Sequence, residues 1–290
     1  MSLEKEIICG YEVSSKMKRL WAMELDIMKR FVEVCTQFGL RYWIAYGTLI
    51  GAVRHKGFIP WDNDMDVLMP RKDFDKLLEI GPRAFEKPFF FQTPITESSR
   101  FFCTFVKIRD ERGTAGVKDD YDSGLNCGVF IDVFCLDEIP DGFLKRKFYY
   151  RKLNELAKMQ RFCLNKTFSK GFVNSIKHGL QKMVFKYVYK SPDAGRLFMI
   201  YQKAAGRYAG TGTREVEDLS FGHYENLKWN RHDWEGIVQL GFEDQKFIAP
   251  RCYDSVLKKV YGDYMQIPED KTTHDYLEFD PDIPYVDFFK

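Results

Sequence analysis

Residues Tyr42–Arg71, with the sequence YWIAYGTLIGAVRHKGFIPWDNDMDVLMPR, carry the most information in this chain about its fold and its chemistry. The stretch opens with an apolar segment, Tyr42–Tyr46, which predicts a strand, and closes with Asp64–Met69, in which acidic and apolar residues alternate. Alternation on a β-strand places Asp64 and Asp66 on one face and the apolar residues on the other. Two carboxylates on one face can bind a single hard cation, and Mg²⁺ suits them because it takes its other ligands from water and substrate phosphates.

A third acid lies within the apolar run Gly128–Phe134. A lone carboxylate is costly to bury there unless it is paired or bound to a metal. Asp132 could therefore be a structural acid capped by an arginine, or the third ligand of a metal site. Because Asp64 and Asp66 already form a pair, the sequence favours a metal site with all three acids.

Composition and cysteine usage indicate the class of protein and its compartment. A chain of 290 residues that is 45% hydrophobic can form one large domain or two modest ones. Its seven cysteines are scattered and form no C-x-x-C pair, which favours free thiols in a reducing compartment over a disulfide framework or a zinc site. The N-terminal residues have no signal-peptide core, and no run approaches the length of a membrane span. We therefore expect a cytoplasmic protein.

Hydrophobic periodicity and turn residues predict the secondary structure. Predicted helices are Ser14–Phe38, with Ser14 or Ser15 as N-cap and Gly39 as C-cap, Arg71–Ile80, Ala194–Tyr208 and Tyr253–Tyr261. Predicted strands are Tyr42–Tyr46, Asp64–Met69, Phe89–Gln92, Phe102–Arg109 and Gly128–Phe134, and Arg112–Asn126 is predicted to be a loop. We therefore expect an α/β (α+β) core with an N-terminal helix at 1–140, a basic helical region at 141–210 and a C-terminal segment at 211–290 that packs on the core and completes the site.

The segment from Phe143 to Lys190 differs from the rest of the chain in its charge. It holds thirteen lysine and arginine residues and one acid, a net charge of +12, whereas the whole chain carries +2. Helical spacing puts Phe172, Ile176, Leu180, Val184, Tyr187 and Val188 on one apolar face, with Lys177, Lys182, Lys186 and Lys190 elsewhere. Such a helix could pack on the core and show its lysines to water, rest at the periphery of an anionic membrane, or attract an anionic polymer or substrate.

Three blocks of this chain resemble the LicD family, which lies within the nucleotidyltransferase superfamily. The first is Gly47–Asp66, the second is Val129–Phe134 followed by Leu136 and Asp137, and the third lies between Phe242 and Pro268. Bacterial members of this family include enzymes that move phosphocholine from CDP-choline onto a sugar of a cell-surface glycan precursor. The resemblance implies a nucleotidyltransferase-like mixed sheet flanked by helices.

The resemblance also implies a set of site residues. Asp64, Asp66 and Asp132 would be the catalytic acids and would hold Mg²⁺, or Mn²⁺ in its place. The Gly47–Thr48 turn would hold a donor phosphate, because backbone N–H groups at such a turn suit phosphate oxygens. The reaction would transfer a phospho-alcohol group, above all phosphocholine, from a CDP-linked donor. Its acceptor would be a sugar hydroxyl of a lipopolysaccharide- or teichoic-acid-type glycan, which a lipid could carry.

Further side chains are expected to contact the substrate. Arg54 and Lys56 are candidate phosphate clamps, although each could equally be a surface charge. The choline cation would favour an aromatic face. Candidate rings for it are Trp61, Tyr121, Trp229 and Trp234, and each of them could instead belong to the core.

Two positions depart from the family pattern. The family usually has an acid where this chain has Asn63, which offers an oxygen without charge, so Asn63 is not among the expected metal ligands. The family often ends in paired histidines where this chain has His274 and Asp275, so we assign His274 no role.

Two other functions remain open on the sequence alone. The same metal site could serve a nucleotidyltransferase that moves the NMP half of a donor onto a small-molecule hydroxyl. The basic helices could instead belong to a nucleic-acid-binding protein that is not an enzyme. That second alternative is disfavoured, because the basic segment has no recognised nucleic-acid motif and a binding module does not need three converging acids.

Overall fold

The computed structural model describes residues 1–97, 101, 103–164, 194–220, 228–269, 271 and 277–290. Its helices are α1 (Ser15–Phe38), α2 (Tyr46–Ile50), α3 (Arg71–Ala84), α4 (Lys118–Asp122), α5 (Phe143–Leu164), α6 (Ala194–Ala205), α7 (Tyr253–Tyr261) and α8 (Tyr285–Phe288). Its strands are β1 (Glu6–Ile8), β2 (Tyr11–Val13), β3 (Trp43–Ile44), β4 (Asp66–Pro70), β5 (Phe89–Gln92), β6 (Val106–Asp110), β7 (Thr114–Gly116), β8 (Val129–Glu138), β9 (Glu215–Asp218), β10 (Lys228–Asn230), β11 (Ile237–Phe242), β12 (Gln245–Pro250) and β13 (Glu278–Asp280). The predicted mixed α/β class is confirmed.

Strand β8 is the centre of a mixed sheet that has seven strands within the described ranges. It pairs in parallel with β4. It also pairs antiparallel with two strands, with β6 along Val129–Val133 and with β9 along Leu136–Glu138. Strands β3, β5 and β10 extend the sheet at its edges. Residues Val129 to Cys135 of β8 are all buried, since the strand is covered on both faces. The long apolar run in the sequence therefore marks the middle of the core.

Helix α1 forms as its caps and its apolar stripe predict. Ser14 is the N-cap, and its Oγ accepts a hydrogen bond from the N–H of Met17 at 3.1 Å. Gly39 ends the helix in the left-handed conformation, with φ of 64°. Leu20 and Phe31 on the stripe are almost fully buried, and the helix packs on β6 and β8. This contact fixes the helix across the sheet that carries the acids.

Two local predictions are wrong. The strand expected at Tyr42–Tyr46 is only Trp43–Ile44, because the chain turns into helix α2 at Tyr46. The loop expected at Arg112–Asn126 contains β7 and α4. Strand β7 forms because it pairs with β13 from the far end of the chain, a partner that local sequence does not show.

The basic region is described in part. Helices α5 and α6 pack together in a second apolar cluster, which includes Tyr149, Leu153 and Tyr201. The predicted apolar face from Phe172 to Val188, with Lys177, Lys182, Lys186 and Lys190, lies outside the described residues, as does His274. The division of the chain at 140 and 210 stays a prediction. Among the helices that are described, none is both long enough and apolar enough to cross a membrane.

Candidate active site

The register between β4 and β8 brings the three predicted acids together. Asp66 and Asp132 are directly paired across the two parallel strands, and the N–H of Asp132 donates to the carbonyl of Met65 at 2.8 Å. Asp64 precedes β4, and ligand oxygens of Asp64, Asp66 and Asp132 all lie within 4.8 Å of one another. Met65 and Val67 are completely buried, so the alternation points the acids away from the core on this side.

The electrostatics of this cluster favour a cation. Burial raises the pKa of Asp66 well above its usual value, and the negative charges of Asp64, Asp132 and Asp62 raise it further. The pKa of Asp62 is also raised, by burial and then by the charge of Asp64. Grouped carboxylates repel one another, and a divalent cation would relieve that repulsion. Three converging carboxylate oxygens fit Mg²⁺ or Mn²⁺, which prefer oxygen ligands.

Gly47 and Thr48 lie in a short helix rather than in the predicted turn, and their binding of a donor phosphate stays a prediction. Both lie in the first turn of α2, and Tyr46 before them has a positive φ of 46°. Thr48 Oγ1 accepts a hydrogen bond from the N–H of Asp66 at 2.7 Å. The threonine side chain therefore holds the start of β4 and the first acid of that strand in place.

Gly47 is needed because Asp62 approaches it closely. A Cβ at this position would overlap Oδ2 of Asp62, so a larger residue would displace the carboxylate. The backbone carbonyl of Asp62 accepts a hydrogen bond from Trp21 Nε1 at 2.8 Å, which ties it to α1. Asp62 thus belongs to the acid cluster, although it was not among the expected site residues.

The other predicted substrate contacts are engaged elsewhere in the described structure. Arg54 Nη1 donates to the carbonyls of Tyr264 and Gln266, at 2.6 and 3.1 Å, so it anchors the segment after α7. Lys56 Nζ donates to the nearby carbonyl of Val53 at 3.1 Å. Trp61 is buried, and its ring makes edge contacts with Tyr11 and His55. These contacts favour packing roles, and binding of substrate by the three residues stays a prediction.

The aromatic residues proposed for a choline cation also have packing partners. Trp229 and Trp234 are buried, and their rings meet edge-on at 5.3 Å. Tyr121 contacts the rings of Tyr285 and Phe289 near the C-terminus. None of these three pairs involves a residue of the acid cluster, which favours packing roles, and binding of a choline cation by these rings stays a prediction.

Lys107 is a site residue that sequence reasoning missed. It lies opposite Asp132 in the β6–β8 pairing, and its Nζ is 2.6 and 2.9 Å from the two carboxylate oxygens. The ammonium also lies 3.5 Å from the centre of the Phe130 ring, within the range of a cation–π contact. Asp132 therefore has a lysine as its partner, where the sequence suggested an arginine or a metal.

Glu24 of α1 is a second missed residue. Its side chain is 1% exposed, and Oε2 has no hydrogen-bond partner within the described structure. Burial raises its pKa well above the usual value, and the charges of Asp64 and Asp62 add to this. Glu24 therefore brings a fifth carboxyl group next to the cluster. Glu24 lies one helical turn after Trp21, and nothing in the sequence around it indicates that it approaches Asp62 and Asp64.

Comparison with known proteins confirms the resemblance stated above. Residues 39–114 match the family model of the LicD/FKTN/FKRP nucleotidyltransferase domain. The chain is 26% identical to the lipopolysaccharide cholinephosphotransferase LicD of Haemophilus influenzae over 89% of its own length and 97% of that protein. It is 40% identical to the uncharacterized protein RP689 of Rickettsia prowazekii over 29% of this chain and 30% of that protein. A short segment, 12% of this chain and 7% of the relative, is 50% identical to the human ribitol 5-phosphate transferase FKRP.

Proposed function

Since the chain belongs to the LicD family, we propose that it is a metal-dependent phosphotransferase that moves a phospho-alcohol group from a CDP-linked donor onto a sugar hydroxyl of a cell-surface glycan precursor. The observation that carries this proposal is the convergence of Asp64, Asp66 and Asp132 within 4.8 Å. Two named relatives transfer cholinephosphate and ribitol 5-phosphate, and both groups are phospho-alcohols. Phosphocholine is our first choice, because the cholinephosphotransferase matches nearly the whole chain.

Asp64, Asp66 and Asp132 would hold the metal. A bound Mg²⁺ or Mn²⁺ would offset the negative charge that builds on the leaving CMP. Local contacts hold these acids in place. Thr48 accepts a hydrogen bond from the N–H of Asp66, and the β4–β8 pairing fixes the backbone of Asp132. Rigid acids keep the reacting phosphorus in one orientation, and orientation supplies much of the rate in phosphoryl transfer.

Lys107 would act on the donor phosphate. Its ammonium neutralises Asp132 while that carboxylate has no other cation. If Asp132 held a metal, its charge would be shared between the metal and Lys107, and the ammonium of Lys107 would be available to a phosphate oxygen. The rings of Phe130 and Phe105 keep Nζ close to the site, at 3.5 and 5.4 Å from their centres.

A choline headgroup would need aromatic faces close to the acids. Tyr46 is adjacent to Gly47, and its ring meets that of Phe134 at 5.6 Å. Tyr261 is 43% exposed, and its pKa is raised by desolvation of the phenol and by the charge of Asp66. We therefore prefer Tyr46 and Tyr261 as candidates for the quaternary ammonium over the four rings considered from the sequence, Trp61, Tyr121, Trp229 and Trp234.

The test is to follow both halves of a labelled donor. CDP-choline labelled in the choline, or separately in the cytidine, is incubated with the protein, Mg²⁺ and a lipopolysaccharide or teichoic-acid precursor. We expect label from choline on the glycan and free CMP in solution. The Asp66→Asn variant should release no CMP, and Asp244→Asn, which changes an exposed acid on the β11–β12 hairpin, should react normally.

Nucleotidyl transfer is the second candidate, because the matched domain is described as a nucleotidyltransferase domain and the same acids would serve it. In that case the cytidine label would reach the acceptor. Both candidates would be contradicted if neither label reached any acceptor and no CDP-alcohol yielded CMP.

A further inference from the structure

The outward face of helix α5 carries apolar side chains where water would be expected. Leu144 and Phe148 are 66% and 67% exposed, and Phe143 at the start of the helix is 76% exposed. Leu144 and Phe148 are four residues apart, so they form one ridge along the helix. The opposite face is buried against α6 through Tyr149 and Leu153. Helix α5 thus has two apolar faces: one packs on α6, and the other is exposed to solvent.

Cations flank this ridge on both sides. Lys147 and Arg151 follow Leu144 and Phe148 by three residues each, and Lys152 follows Phe148 by four, so all three lie beside the ridge. All three are exposed, and so is Lys145. Long basic side chains around exposed apolar ones form the arrangement that rests in the interface of an anionic bilayer, with the apolar groups inserted and the cations at the headgroups.

The nearest acids do not cancel this charge. The carboxylate of Asp141 accepts the N–H of Arg214 at 3.4 Å, and Glu155 pairs with Lys158 at 3.2 Å. Arg146, which faces inward, pairs with Glu215. Within the described residues, none of these three acids pairs with Lys145, Lys147, Arg151 or Lys152, so those cations can meet an external anionic surface.

Other parts of the described chain do not cover the ridge. Tyr149 Oη donates to the carbonyl of Ala205 at 2.5 Å, so the end of α6 lies beside the start of α5 and the two helices run antiparallel. This packing buries the face of α5 that carries Tyr149 and leaves Leu144 and Phe148 exposed.

We propose that the ridge of Phe143, Leu144 and Phe148, together with Lys145, Lys147, Arg151 and Lys152, is a docking surface for an anionic lipid bilayer. The combination of charge and apolar groups selects this occupant. An anionic polymer in water would need the cations and would gain little from exposed leucine and phenylalanine. The surface is separate from the acid cluster, so this proposal does not depend on the reaction assigned above.

Co-sedimentation with vesicles tests the proposal, using the full chain and vesicles of phosphatidylcholine with or without about one third phosphatidylglycerol. We expect binding to the anionic vesicles, partial release by salt and little binding to the neutral ones. Leu144→Ser/Phe148→Ser should weaken binding about tenfold or more. Lys147→Gln/Arg151→Gln should weaken it by up to about 25-fold, at about fivefold for each cation.

Matched variants and other outcomes complete the test. Met199→Ser/Ile237→Ser removes two exposed apolar side chains elsewhere, and Lys29→Gln/Lys76→Gln removes two exposed lysines of other helices; both should bind like the wild type. Melting temperatures check that each variant is folded.

Failure of the wild type to sediment, or equal binding by the Leu144/Phe148 variant, overturns the proposal. So does a change of oligomeric state in that variant without loss of vesicle binding, since a second copy would then be the occupant.

Discussion

Asp66 on β4 and Asp132 on β8 face each other directly across a pair of parallel strands, although 66 positions separate them in the chain. The backbone pairing keeps their carboxylates close despite the repulsion between them, and burial with neighbouring charge raises the pKa of Asp66. The fold thus imposes a juxtaposition of like charges that a bound cation would stabilise. This relationship leads to the first expectation.

Asp66→Asn should abolish metal binding and transfer without unfolding the protein. Removing one acid relieves repulsion in the metal-free state, so the melting temperature should stay equal or rise slightly. Transfer should fall by about a thousandfold or more, as expected when a group that stabilises the transition state is lost. Mn²⁺ binding by calorimetry, CMP release and a melting curve measure the three effects, with Asp244→Asn as the control. Normal turnover by the folded variant would contradict the metal role of Asp66.

Lys107→Met should separate metal binding from transfer. Without the lysine, Asp132 keeps its full charge for a metal, so Mn²⁺ should bind more tightly, by about tenfold or 1.4 kcal/mol. Transfer should nevertheless fall by roughly a hundredfold, because the donor phosphate loses its cation. Without metal the variant should melt earlier, since a buried carboxylate is left unpaired, and Mn²⁺ should restore much of the loss.

Two comparisons make the Lys107 result specific. Lys107→Arg keeps the charge and should retain part of the activity, whereas Lys246→Met changes an exposed strand lysine and should alter nothing. If Lys107→Met lowers stability but leaves both Mn²⁺ affinity and turnover unchanged, the lysine only neutralises Asp132. A double variant with Asp132→Asn should be less destabilised than the sum of the two single variants, because the two side chains are in contact.

Glu24→Gln should stabilise the protein more at high pH than at low pH. Burial raises the pKa of Glu24 in the folded state above its unfolded value, so the wild type loses stability as pH rises from about 4.5 towards the folded pKa. Below about pH 4.5 both states are protonated, and this contribution vanishes. The glutamine variant lacks the ionisation. Chemical unfolding at pH 4.5 and pH 8 should therefore show a difference between variant and wild type that grows with pH; a constant difference would argue against a buried ionisable group.

Gly47→Ala should impair transfer with little change in stability. The added Cβ would overlap Oδ2 of Asp62, and the side chain of Asp62 must move away from the acid cluster. A displacement of about 1 Å near a reacting group can cost about a hundredfold in rate. Gly241→Ala is the matched control, because its Cβ would meet no atom within 4 Å. Equal activity of the two variants would show that the placement of Asp62 does not matter for the reaction.

Local sequence predicted much of the secondary structure, for reasons that are themselves local. Helix α1 has a side-chain cap at Ser14 and a glycine at its end, and both groups act within a few residues of the backbone they complete. The boundaries of Phe89–Gln92 and Tyr253–Tyr261 coincide with the predicted ones, since glycine, proline and aromatic or β-branched residues mark them. The period of two in Asp64–Met69 likewise allowed the acids to be placed on one face before any partner strand was known.

What the sequence by itself determined, then, was the type of most of its elements and the identity of three acids that could share a cation. The tertiary structure decided how the remaining groups meet them. Lys107 reaches Asp132 only through the β6–β8 register, and Glu24 comes near Asp62 only because α1 crosses the sheet. The path of Tyr46 into a helix follows from the hydrogen bonds that Ala45 and Thr48 make with Asp66. Pairing between distant segments depends on the packing of the whole core, and no local pattern in the chain encodes it.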